Sequence, residues 1–220
     1  MIKNLRNAIV TVSCLAALSA CSSVVAPPTT YGERHLVETS GGGRPLWIDN
    51  ARAYQKEHKD RFYFVGLATK EPDYELARSN AYADALKNVA RGIKSTVHNL
   101  YVSASTEDKG AQSDYTRDVE KSVEDGTLQT ALGIISGASV DQYYWKKYWV
   151  QEEPGSPVIY FRNVYALVSM TKEDYQRTLY DTLNKKASEV KDPRARHVIK
   201  EMKKKWFSTK MDPSEIQAKQ

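Results

Sequence analysis

The sequence predicts an α+β fold in which a small antiparallel sheet, built from a strand, a long helix and a hairpin, is packed by helices on one face. Three observations carry that expectation. Residues 61–68 are aromatic and β-branched; the stretch from Leu76 to Leu100 repeats its apolar residues at helical spacing; and two runs rich in Tyr, Trp, Val and Ile, 140–151 and 158–170, flank a Pro154-Gly155 turn.

The first run, Arg61-Phe62-Tyr63-Phe64-Val65-Gly66-Leu67-Ala68, reads as a strand in which Gly66 marks a bulge or a close approach. Glu71-Pro72-Asp73 ends it and offers Asp73 as a helix cap. In the long helix Leu76, Ala83, Ala90 and Val97 recur every seventh residue, with Leu86, Ile93 and Leu100 following the last three. Ala77, Ala81 and Ala85 form a small-residue stripe beside that seam. The polar stretch 103–117 reads as a loop. Val119, Val123, Leu128, Leu132 and Ile135 predict a second helix, interrupted by Gly126 and Gly133. After the hairpin, Thr171 and Asp174 resemble a capping box, and Tyr175, Leu179, Leu183, Ala187 and Val190 continue as a helix to Asp192-Pro193. A last amphipathic segment sets Val198, Met202 and Trp206 among lysines and arginines.

Ahead of this domain stands a different kind of sequence. Lys3 and Arg6 precede an apolar run from Ala8 to Leu18, too short to span a bilayer, and the run ends in Leu18-Ser19-Ala20-Cys21. This pattern predicts a signal peptide at 1–20 and resembles a bacterial lipobox, in which the cysteine carries diacylglycerol before cleavage. Cys21 is therefore the expected lipidation site. Cleavage would also remove Cys14, leaving 30 basic and 27 acidic side chains and no second cysteine for a disulfide. Residues 21–45, rich in Ser, Pro, Thr and Gly, read as a flexible linker, 46–192 as the α+β domain, and 193–220 as a basic C-terminal helix and tail.

Pro45-Leu46-Trp47-Ile48, the segment 62–68 and the alanine-rich run 77–86 occur in that order, and together they resemble the twenty-kilodalton surface lipoprotein family, here Lpp-twenty. The resemblance covers about residues 45–100, with an echo in Val164-Tyr165-Ala166-Leu167-Val168. It implies a bacterial envelope lipoprotein, often in the outer membrane, related to accessory proteins of flagellar assembly, with a core similar to the strand-helix-strand-strand fold of dodecins. Ser22 after Cys21 fits outer-membrane sorting, since the inner-membrane retention signal resembles Asp there. The family supplies no catalytic residues.

The residues themselves mark no chemistry. His35, His58, His98 and His197 are scattered, none four residues from another or beside a cysteine, so neither a zinc site nor another metal or cofactor is expected. No phosphate loop or activated nucleophile stands out, and the expected role is non-enzymatic. Two candidate interaction features remain. Tyr143, Tyr144, Trp145, Tyr148 and Trp149 crowd one strand, and alternation prevents one sheet face from burying them all, so Trp145 and Trp149 are candidates for a partner or a ligand. Lys203, Lys204 and Lys205 are candidates for an anionic surface. The expected partners are the membrane through the lipid, other envelope proteins and further copies of the chain; export excludes nucleic acid. The reading is a structural or assembly module of the cell envelope, flagellar or cell-wall associated, and its rival is a periplasmic binding module for a small molecule or glycan using strand 143–149.

Overall fold

The computed structural model describes residues 30–105 and 113–208. The predicted leader, Cys21, the centre of the predicted loop at 106–112 and the tail from 209 lie outside the described residues. In chain order the elements are β1 (His35–Thr39), α1 (Leu46–Asp49), α2 (Ala51–Glu57), β2 (Arg61–Glu71), α3 (Tyr74–Ser105), α4 (Ser113–Glu124), α5 (Thr127–Leu132), β3 (Ser139–Val150), β4 (Ile159–Thr171), α6 (Lys172–Glu189) and α7 (Pro193–Ser208). The fold is α+β: the strands form one antiparallel sheet in the order β1-β3-β4-β2.

Two elements were hidden in polar sequence. β1 lies inside the segment read as linker, pairing with β3 from His35 opposite Trp149 to Thr39 opposite Lys146. The folded part therefore begins near residue 31, where the Gly32 amide donates to the Gln151 carbonyl at 2.9 Å, and the linker expectation is corrected over residues 31–45. α2 lies in the polar stretch before β2. Its Asn50 cap accepts from the Ala53 amide at 2.9 Å, and its Gln55 is almost completely buried.

Gln55 explains why α2 exists where it does. β2 is an edge strand, and its outward backbone groups would otherwise present a template for another chain. The Gln55 amide donates to the Arg61 carbonyl at 2.7 Å and its oxygen accepts from the Tyr63 amide at 2.8 Å. Further along the same edge Asn88 donates to the Val65 carbonyl at 2.7 Å, and Asp84 accepts from the Leu67 amide at 3.0 Å. Side chains from two helices thus stand in for a fifth strand.

α3 crosses β2 and β4, and its first half is held by alanine. Ala77, Ala81 and Ala85 are wholly buried, and Ala77 and Ala81 meet Ala68, Val164 and Ala166 of the sheet. A Cβ added at Gly66 would stand 2.0 Å from the Ala81 carbonyl oxygen and 2.3 Å from the Ala85 nitrogen, so helix and strand meet backbone to backbone. That approach overturns the predicted seam in this half. Leu76 is 49% exposed, Ala83 is exposed and Leu86 is half-buried, because only the smallest row of side chains fits under the helix. From Val89 onward the expected face holds: Ala90, Ile93 and Val97 are completely buried.

That second half is wrapped by helices. Phe62, Phe64 and Met170 from the sheet, Tyr175, Leu179 and Leu183 of α6, and Ile199, Met202 and Trp206 of α7 close one core around it. The Thr171 hydroxyl accepts from the Asp174 amide at 3.0 Å, capping α6 as the sequence predicts. Gly126, at φ 72°, turns the chain between α4 and α5, which divides the single predicted helix in two. The buried Lys186 ammonium donates to the Asp125 carbonyl there.

The opposite sheet face is covered too, which corrects the expectation of helices on one face only. Trp47 of α1 packs with Tyr63, Tyr144 and Leu167, and its indole N–H donates to Gln142 at 3.0 Å.

Candidate functional site

Strand alternation divides the aromatic residues of β3 between the two faces. Tyr144 turns to the α1 side and is buried. Tyr143 and Trp145 turn to the α3 side and pack on the alanine cluster. The rings on that side are interleaved with cations of the same chain. The Arg78 guanidinium lies 4.5 Å from the Tyr143 ring centre and 5.7 Å from Tyr74. Arg162 lies 5.7 Å from Tyr74 and 6.0 Å from Trp145. Trp145 meets Tyr74 edge to face at 5.8 Å, and Trp149 stacks on His35 of β1 at 4.2 Å. Both tryptophans are half-buried, and each has ring partners within the chain.

What the strand leaves open is its far end. β3 and β4 run on to a turn at 151–158, and residue 30, where the described chain begins, lies next to it. Eleven large hydrophobic side chains are exposed among the described residues, and six belong here: Tyr31, Leu36, Val37, Val158, Ile159 and Tyr160. A depression of about 480 Å³ opens beside two of them, Ile159 and Tyr160, with Arg34, Lys70, Val150 and Phe161 also in its walls. Its volume is that of a ligand site, yet Ile159 and Tyr160 are each more than half exposed, so it is a shallow, sticky surface rather than an enclosing pocket. The concentration of apolar surface at one end of the molecule is what marks interaction surfaces in general. Val158, Ile159 and Tyr160 belong to the second strand run of the sequence, whereas Leu36 and Val37 reach the same end only through the pairing of β1 with β3, which polar sequence conceals.

The three lysines do not form one patch. Successive helix residues point about 100° apart. The Lys203 ammonium donates to Asn184 at 2.8 Å and lies 5.3 Å from the Tyr180 ring, fixing α7 to α6. Lys204 pairs with Glu201 on its own helix at 2.7 Å. Lys205 donates to the Ser103 carbonyl at 2.5 Å, fixing α7 to the end of α3.

Titratable groups converge in two other places. Buried Ser169 donates to Asp141 at 2.7 Å and accepts from the Arg61 Nε at 2.9 Å, so its hydroxyl is committed on both sides. Burial foremost, and after it the Asp60 and Asp141 carboxylates, raise the pKa of the Tyr54 and Tyr63 hydroxyls. The second place brings together residues distant in sequence: His98 of α3 meets Glu120 and Glu124 of α4, with one candidate ligand atom from each lying within 4.8 Å of the others. In the sequence His98 stands apart from the other histidines, and the signal that could have marked this cluster is the pair of glutamates four residues apart at 120 and 124.

Compared with protein-family models, curated proteins and solved structures, the chain matches none.

Proposed function

We propose that this chain is a non-enzymatic lipoprotein of the bacterial envelope, anchored through Cys21, that works as a structural or assembly module by protein contacts. The observation that carries the reading is the leader ending in Leu18-Ser19-Ala20-Cys21, joined to a domain whose first described residues lie beside its most apolar end. Nine peptide units separate Cys21 from residue 30, a reach of at most about 30 Å. A lipid at Cys21 would hold the hairpin tip close to the bilayer and leave the α4–α7 end directed away from it. No helix of the described residues is long and apolar enough to cross a membrane, so in this reading the acyl chains carry the attachment. The motif resemblance to Lpp-twenty supports outer-membrane placement and a role in flagellar or cell-wall assembly. The capped β2 edge supports contacts other than sheet extension on that side.

The test is metabolic labelling with a fatty acid followed by fractionation. The parent chain takes up label and sediments with outer membranes; Cys21→Ala loses both. Retained label and membrane association in the variant would remove the lipoprotein reading. A binding module for a small molecule or glycan is the rival because the 480 Å³ depression at the tip offers a place for one. Saturable binding of a glycan, lost in Tyr160→Ala, would favour it.

A further inference from the structure

We propose that His98, Glu120 and Glu124 form a three-ligand site for a divalent transition-metal ion that staples α4 to α3. The inference stands on the fold alone and does not depend on lipidation at Cys21. Glu120 and Glu124 occupy successive turns of one face of α4, where two carboxylates repel each other. The ion pairs of both run to the same group: His98 Nδ1 lies 3.6 Å from Glu120 Oε1 and 2.5 Å from Glu124 Oε1. An imidazole supplies at most one positive charge to two carboxylates, whereas a dication neutralises both.

The geometry suits an ion. Bonds of about 2.0 to 2.1 Å in a tetrahedral site place neighbouring ligand atoms about 3.3 Å apart. The His98–Glu120 separation is within about 0.3 Å of that spacing, the His98–Glu124 contact reaches it by opening about 1 Å, and all three ligand atoms lie within 4.8 Å of one another, so small side-chain rotations close them on an ion. Both carboxylates are partly buried and His98 is half-exposed, so the inner side is formed by protein and the outer side is free for one or more waters. Tyr101, one turn along α3 and buried, feels both carboxylates: after burial itself, Glu120 and Glu124 are what push its hydroxyl pKa up. One imidazole with two carboxylates selects for zinc or a neighbouring first-row ion over magnesium and calcium, which prefer oxygen alone. Ligands projecting from facing helices are also how helical bundles build metal sites.

The experiment uses the full-length chain purified in detergent and stripped with a chelator. Zinc chloride, at a hundredfold excess over its dissociation constant, should raise the Tm by about 5 to 10 °C, and about one zinc per chain should remain after desalting. Calcium chloride at the same concentration should do neither. His98→Ala and, separately, Glu124→Gln should each weaken zinc binding at least tenfold while keeping the far-ultraviolet circular dichroism of the parent. Glu120→Gln provides a third variant should either fail to fold. The proposal is overturned if the parent shows no zinc-dependent shift, if calcium acts equally well, or if the folded His98 variant binds zinc like the parent, which would assign the ion to other histidines.

Discussion

The two halves of α3 do the same job by opposite means. Between Tyr74 and Leu86 the helix is joined to the sheet by Ala77 and Ala81 against Ala68, Val164 and Ala166 and by Ala81 and Ala85 against Gly66, contacts with little side-chain volume. Between Val89 and Tyr101 it is joined to α6, α7 and the sheet by Val89, Ile93, Val97 and Tyr101, and large aromatic and aliphatic groups fill the space. In the first half backbone proximity sets the fit; in the second, the interlocking of side chains does. The two halves should therefore fail in opposite directions, the first when enlarged and the second when emptied.

Enlargement of the first half should have the largest effect. In Ala81→Leu the added atoms are driven into the packed cluster of Ala68, Val164 and Ala166, and the backbone-to-backbone approach at Gly66 leaves the helix no room to retreat, so the expected cost is about 4 kcal/mol or more. Urea denaturation would read it as a chain unfolded or nearly so at 37 °C. Ala81→Gly, by contrast, should cost only about 1 kcal/mol, a helix-propensity effect. If Leu were tolerated at 81, the close approach drawn from Gly66 would be wrong.

In the second half the signs reverse. Ile93→Ala removes buried volume from the centre of the main core and should cost about 3 kcal/mol, within the usual range for such truncations. Equal midpoints for Ile93→Ala and the parent would mean that the α4–α7 end contributes nothing to the cooperative unit.

Tyr175 offers a smaller, pH-dependent probe of the same core. It is fully buried, packs on Phe62 at 4.3 Å between ring centres, and shares a 3.2 Å hydrogen bond with Thr96. Burial raises its hydroxyl pKa far above the ordinary 10.0, and the Thr96 hydrogen bond only partly offsets this. Below pH 10 the folded and unfolded chains both keep the proton, and stability does not depend on it. Above pH 10 the unfolded chain releases the proton while the folded chain retains it, so stability falls by about 1.4 kcal/mol per pH unit from this group. Tyr175→Phe should cost about 1 kcal/mol at neutral pH and flatten that alkaline limb, leaving the share due to the other buried tyrosines. An unchanged slope between pH 10 and 11 would show that Tyr175 is accessible to hydroxide in the folded state.

The contrast between the halves also explains what could be read from the sequence. The strand at 61–68, the hairpin, the Thr171 cap and the second half of α3 were legible because apolar periodicity and capping chemistry are local. The buried face of the first half was misread because a period built on leucine outweighed a stripe built on alanine. The choice between them depends on Gly66, more than ten residues away and on another element. β1 and α2 were missed for a related reason. His35–Thr39 carries two charged or titratable residues in five and is held by pairing, and α2 is fixed by what Gln55 does for a strand edge. The candidate sites follow the same rule. Trp145, Trp149 and the lysines 203–205 were visible as composition, whereas the partners of Trp145, Trp149, Lys203 and Lys205, and the meeting of His98 with Glu120 and Glu124, come from tertiary packing.

The smallest expected effect is at Leu76, the residue the heptad seam would bury and the fold does not. At 49% exposure in the first turns of α3 it lies off the alanine row, so removing its side chain takes little apolar area out of contact. Leu76→Ala should change stability by less than about 0.5 kcal/mol, since alanine is also the better helix former. The comparison with Ile93 is the sharp one: same helix, similar side-chain size, the same substitution, and an expected difference of several-fold. The measurement should be repeated at low and high protein concentration. A cost at Leu76 that grew with concentration would mean that a second copy of the chain covers this row, and the first half of α3 would then be a packed interface on two sides rather than a thin contact on one.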